Sequence, residues 1–157
     1  MLPRANGVLE TLVRKLARGL FKLKMWIEDC RMRSAMGRNE NLQVRTKRFA
    51  LQVIEFCELL PKDETSRILG RQLLRAGTSV GANYRAACRA KSKPAFISKM
   101  GDVLEESDEC GYWMELLVES GKVDPHIAAT LMKEATQLVA MSVASINTAK
   151  ANQSGGD

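Results

Sequence analysis

The chain has 157 residues, a formal net charge of +6, and a composition that is 45% hydrophobic but only 5% aromatic. That length allows one domain with a modest core, and an apolar set rich in Leu, Ala, Met and Val suits helix packed on helix. No apolar run approaches the roughly 20 residues of a membrane span. Cys30, Cys57, Cys88 and Cys110 show no paired-ligand spacing, and the single His126 cannot complete a metal site. Integral membrane, disulfide-framework and zinc-module classes are thereby set aside. Free thiols and an N-terminus interrupted by Arg14, Lys15, Arg18, Lys22 and Lys24 predict a cytoplasmic protein.

The charge is unevenly placed. Residues 1–38 hold nine lysines and arginines against three acids, Glu10, Glu28 and Asp29, a surplus equal to the whole +6. The remainder is balanced, so the basic pI of 9.3 belongs to the extension and is no evidence that the body binds nucleic acid. Within the extension, Leu9, Leu12, Val13, Leu16, Leu20, Leu23 and Ile27 share one helical face, and Arg14, Lys15, Arg18 and Lys22 share the other. Phe21, Met25 and Trp26 interrupt the polar face. A basic amphipathic helix of this kind suits an anionic membrane surface, a partner groove or RNA. An over-extended reading frame is equally compatible, with Met25, Met32 and Met36 as later starts. The predicted organisation is an extension over 1–38, a helical body over 39–150 and a frayed, disordered tail over 151–157.

Four body helices are predicted. The first covers about residues 41–60, with Phe49, Val53, Phe56 and Leu60 at helical spacing and Pro61 as the stop. The second covers about 66–90, its apolar arc formed by Leu69, Leu73, Ala76, Val80, Tyr84 and Ala87. Ser92 as cap and Pro94 in the first turn open the third, which runs to about 120 on a face of Phe96, Met100, Val103, Cys110, Met114 and Leu117, with Ser107 as its only polar member. Gly121 is placed to end it. Asp124 and Pro125 open the fourth, whose face is Ile127, Leu131, Leu138 and Ile146, helped by Ala128, Ala135 and Val139. Short turns between long amphipathic helices predict an all-α, antiparallel, up-down-up-down four-helix bundle.

Two strips on the second helix are candidates for function. Arg67, Arg71, Arg75, Arg85 and Arg89 line one arc, continued by Lys91 and Lys93. They could track phosphates or pair with Asp102, Glu105, Glu106, Asp108, Glu109, Glu115 and Glu119 of the third helix, within or between subunits; a solvated charged face is the commoner outcome. Gly70, Gly77 and Gly81 form a strip beside the apolar arc. Each glycine costs about 1 kcal/mol in a helix relative to alanine, which points to close approach of another backbone, in the bundle or at an oligomer contact. Arg75, Asn83 and Glu109 are candidates for a buried polar network.

No catalytic constellation is visible. The carboxylates lie on a solvated face, the Glu-x-x-His pairs of a di-iron bundle are missing, and Ser79 has neither a nearby histidine nor phosphate-loop glycine spacing. The expectation is a non-enzyme with no cofactor and no metal.

The run Arg71-Gln72-Leu73-Leu74-Arg75-Ala76-Gly77-Thr78-Ser79-Val80-Gly81-Ala82-Asn83-Tyr84-Arg85-Ala86 resembles the bacterial four-helix-bundle proteins also called 23S rRNA intervening-sequence proteins, some of which are encoded inside insertions in that gene. Ser92-Lys93 before Ala95-Phe96-Ile97, and Glu105-Glu106 through Asp108-Glu109 before Tyr112-Trp113 and Glu115-Leu116-Leu117, fit the same pattern. The match covers about residues 44–150. It departs at Asp102, where an apolar residue is expected, and at Leu104, where a carboxylate is expected. The resemblance implies an antiparallel bundle that assembles into a homo-oligomeric ring, commonly a pentamer. It also implies similarity to the accessory protein of diversity-generating retroelements, which partners a reverse transcriptase and nucleic acid. It implies no catalytic residues. The expected role is a self-assembling module with RNA or DNA as ligand, or else a protein-binding scaffold that uses the arginines in salt bridges; a membrane-surface role rests on the extension alone.

Overall fold

The computed structural model describes residues 41–151. The predicted extension over 1–38 and the tail beyond 151 lie outside the described residues. Four helices account for nearly all of the rest: α1 (Leu42–Leu59), α2 (Glu64–Ala87), α3 (Lys93–Glu119) and α4 (Pro125–Ala151). α2 packs most extensively on α3, α3 on α4 and α1 on α2, and a shorter α1–α4 contact closes the cycle. This is the antiparallel four-helix bundle, with no strand among the described residues.

Local chemistry sets the boundaries. Asn41 caps α1 by accepting the Gln43 N–H at 2.9 Å. Leu60, which precedes Pro61, is forced into extended backbone (φ −62°, ψ 147°) and ends the helix. Ser92 Oγ accepts the Ala95 N–H at 3.3 Å to start α3. Gly121, at φ +71°, closes it as a Schellman motif: the Lys122 N–H donates to Leu117 O at 2.9 Å and the Gly121 N–H to Val118 O at 3.0 Å. Asp124 Oδ1 accepts the His126 N–H at 2.8 Å to open α4. α2 starts two residues before the predicted position and ends at Ala87, leaving Arg89 in the following turn, where its N–H donates to Ala86 O at 3.1 Å.

Asp63 caps α2 and ties it to the far turn. Its carboxylate accepts the Ser66 N–H at 3.1 Å, the Ser66 hydroxyl at 2.8 Å and Lys122 Nζ at 3.0 Å. Those hydrogen bonds, the Ser66 hydroxyl foremost, hold its carboxyl down at about 2 from the usual 3.8. A depressed carboxyl stabilises the fold fully above its unfolded value and loses that contribution as pH falls through the folded one. Asp63→Asn keeps a good cap but no charge. Thermal midpoints of the two proteins should therefore differ at neutral pH, draw together below about pH 4 and lose the charge-dependent part of their difference only below about pH 2. A difference that does not depend on pH would refute the charge-assisted cap.

The core is contributed by all four helices. Phe49, Val53 and Phe56 of α1, Leu73, Ala76 and Val80 of α2, Met100, Cys110 and Met114 of α3, and Leu131 and Leu138 of α4 are all essentially inaccessible to solvent. Two predicted core members on α2, Leu69 and Tyr84, are half-buried and pack at its margin. Buried serines are satisfied one turn back: Ser107 Oγ donates to Val103 O at 2.7 Å and Ser142 Oγ to Leu138 O at 2.8 Å.

The buried polar network is not the predicted one. Arg75 does meet Glu109, but its side chain is 56% exposed and that of Glu109 43%. Asn83 is half-buried and shares no hydrogen bond with them among the described residues. The buried pair is instead Arg45–Glu134, with side-chain exposures of 11% and 7%. Arg45 Nε donates to Glu134 Oε1 at 2.6 Å and Nη2 to Oε2 at 3.0 Å, while Nη2 also reaches Gln137 Oε1 and Nη1 lies 3.0 Å from Met141 Sδ. This fork joins α1 to α4, the less extensive of the contacts that α1 makes with its two neighbours in the bundle.

Candidate functional site

The bundle fixes which sides of α2 face inward. Its apolar arc meets the core and its glycine strip meets α1. A Cβ on Gly77 would fall 2.7, 2.8 and 3.0 Å from three side-chain carbons of Val53; one on Gly70 would fall 2.7 Å from Leu60 Cδ1; one on Gly81 would fall 3.4 Å from the Thr46 carbonyl oxygen. The helices are thus drawn together along three successive points, backbone nearly on backbone at Gly81. The arginine arc is what remains for solvent.

The sequence-predicted cations divide into two sets. Arg67 pairs with Glu64 one turn back on its own helix. Arg75 reaches across to α3, where Nη2 lies 2.7 Å from Glu109 Oε2 and Nη1 lies 3.8 Å from Glu106 Oε1. Burial pushes the Glu106 carboxyl up, with Arg75 acting against that shift. Arg71, Arg85, Arg89 and Lys91 are exposed, and among the described residues none has a carboxylate within 4 Å. Lys93 is exposed in the first turn of α3. At 1.5 Å per residue, Arg67 to Arg85 spans about 27 Å of helix.

Burial pushes the Cys57 thiol up to about 11 and the Cys110 thiol higher still, away from the reactive thiolate. His126 is exposed at the start of α4. Among the described residues no three His, Cys, Asp or Glu side chains gather as a metal site, and no helix is long and apolar enough to cross a membrane. A groove of about 270 Å³ between α3 and α4, edged by Asp108, Tyr112 and Glu115, carries the wrong charge for phosphate.

The profile of the 23S rRNA-intervening sequence protein family matches residues 40–144, which takes in α1 to α3 and most of α4. The chain belongs to that family. A crystal structure from Bacteroides thetaiotaomicron, described as a protein with unknown function from the S23 ribosomal protein family, is similar at 27% identity and a TM-score of 0.64. The similarity covers 68% of this chain and 98% of that one. No curated protein matches. Family membership accounts for the bundle and the α2 run. What sequence reasoning missed is the Arg45–Glu134 fork, although Glu134 falls in register with Leu131 and Leu138 on the core face of α4.

Proposed function

We propose that this family member is a non-enzymatic, self-assembling bundle that serves as an adaptor for RNA or DNA through the outer face of α2. The observation that carries the reading is the set of exposed cations, Arg71 and Arg85 on α2 and Arg89 and Lys91 in the segment that follows it, which have no carboxylate within 4 Å among the described residues, on a bundle whose overall charge is nearly balanced. Phosphates would supply the missing counter-charge. Single interactions of this type are weak, and assembly into a ring, as the family resemblance implies, would add them. A reverse transcriptase is the protein partner that the resemblance implies. The free thiols Cys57, Cys88 and Cys110 fit a reducing cytoplasm.

A second reading has its own observation. Arg67 and Arg75 are already engaged by Glu64, Glu106 and Glu109, which favours a protein-binding scaffold whose arginines form salt bridges within and between subunits. Arg71→Gln, Arg85→Gln and Arg89→Gln combined separate the two. If the stripe takes phosphate, the salt dependence of nucleic-acid affinity should flatten by about two to three in log–log slope, at roughly 0.7–0.9 for each phosphate no longer neutralised, while light scattering shows the same assembly. Unchanged binding together with a dissociated assembly would establish the scaffold reading instead.

A further inference from the structure

We propose that the notch between the α1–α2 turn and the second and third turns of α2 is a nucleobase pocket, so that the strand held by the stripe is single-stranded with one base turned into the protein. The proposal rests on the reading of the stripe as a phosphate surface and adds to it the kind of nucleic acid. The notch has a volume of about 380 Å³, at the small end of the about 300–1,000 Å³ typical of small-ligand sites. It admits a flat ring and is too small for a helix of a partner protein.

The chemistry of its walls is divided. Cys57, Leu60 and Leu74, buried or half-buried, form an apolar floor, and exposed Pro61, Lys62, Arg67 and Arg71 stand at the lip. The floor's polar groups are already paired: the Cys57 thiol donates to Gly70 O at 3.4 Å, and the Ser66 hydroxyl donates to Asp63. A floor of this kind offers an apolar surface to the face of a ring and asks for no hydrogen bond. The lip is net positive. Arg67 is held by Glu64 and Asp63 by Lys122, whereas Lys62 and Arg71 are exposed, with no carboxylate within 4 Å among the described residues. Apolar floor and cationic lip together match a base joined to its flanking phosphates, and guanidinium planes are good stacking partners for bases. A duplex keeps its base faces inside the stack, so only a single strand or a looped-out base presents both parts at once.

The test uses the full chain and three labelled DNA probes of equal length, followed by fluorescence anisotropy at one salt concentration: a single strand, an abasic strand with the same phosphates, and a duplex. The proposal expects the base-bearing strand to bind about tenfold more tightly than the other two, in the range seen for stacking single-strand sites. Leu74→Ala, which removes the apolar floor on which the ring lies, should lower the affinity of that strand toward the abasic level, with far-UV circular dichroism unchanged. Equal affinity for base-bearing and abasic strands would overturn the pocket; the combined Arg71→Gln, Arg85→Gln and Arg89→Gln chain, measured with the same abasic strand, then shows whether the stripe or the basic extension holds the phosphates. Binding of none of the three would remove the stripe reading and the pocket with it. Should Leu74→Ala fail to fold, the abasic comparison decides alone.

Discussion

Glu134→Ala should lower the free energy of unfolding by about 3–5 kcal/mol, the cost of stripping one partner from a buried ion pair. The carboxylate is 7% exposed and receives a two-pronged bond from Arg45. Truncation leaves that guanidinium with a charge it cannot shed, in a site 11% exposed. Domains of this size have about 5–15 kcal/mol in total, so the variant should unfold at a markedly lower urea concentration. The pair's net contribution is a separate quantity. Desolvating both ions costs nearly what their attraction returns, and a well-packed apolar replacement is often neutral. Arg45→Met with Glu134→Leu should therefore recover most of the loss. A Glu134→Ala effect under about 1 kcal/mol would put the pair in the class of exposed surface bridges.

Gly77→Val should cost about 3 kcal/mol, the upper end of ordinary overpacking. The new Cβ would fall within 3.0 Å of Val53 Cβ, Cγ1 and Cγ2. Val53 is fully buried, and its short branched side chain cannot swing away. Relief must come from α1 moving off α2, which also loosens the packing at Leu60 and Thr46. Adding Val53→Ala should restore most of the stability by returning volume to the same place. Gly111, on α3, has open space where a Cβ would stand, with nothing within 4 Å of it, so Gly111→Ala should instead stabilise by about 1 kcal/mol through helix propensity alone. Opposite signs in chemical denaturation are the expected result. Destabilisation by both would mean that propensity and packing have been wrongly apportioned.

The contrast between these glycines shows where sequence reading stops. Gly70, Gly77 and Gly81 stand out as a strip by their spacing, but spacing cannot say what lies opposite. Gly111 looks no different from them in composition. Only the register of α1 against α2 sets Val53 over one glycine and the Thr46 carbonyl over another. The charged residues behave similarly. Arg67 and Arg75 belong to the same arc as Arg71 and Arg85, yet among the described residues the first two are paired and the second two have no carboxylate within 4 Å. The difference depends on Glu64, one turn away, and on Glu106 and Glu109, which lie on another helix. The notch is a further case: Cys57 and Leu60 enter it from the α1 side, and Arg71 and Leu74 from α2.

The helices, their order and their buried faces are legible in the chain without any knowledge of its folded form. They follow from interactions within a few residues: capping by Ser92 and Asp124, the stop at Pro61, the turn at Gly121 and apolar repeats of one helical period, whereas the Asp63 cap, which starts α2 two residues before the predicted position, is seen only in the structure. The antiparallel arrangement follows too, because short turns leave long helices no other way to bury those faces. How the helices slide and rotate against one another is settled only in the assembled bundle. Arg45 and Glu134 are 89 residues apart, and no local pattern encodes that they meet. An amphipathic face specifies that a helix is buried, whereas the interlocking of individual side chains specifies its register, and at that level the fork, the glycine approaches and the basic notch come into being.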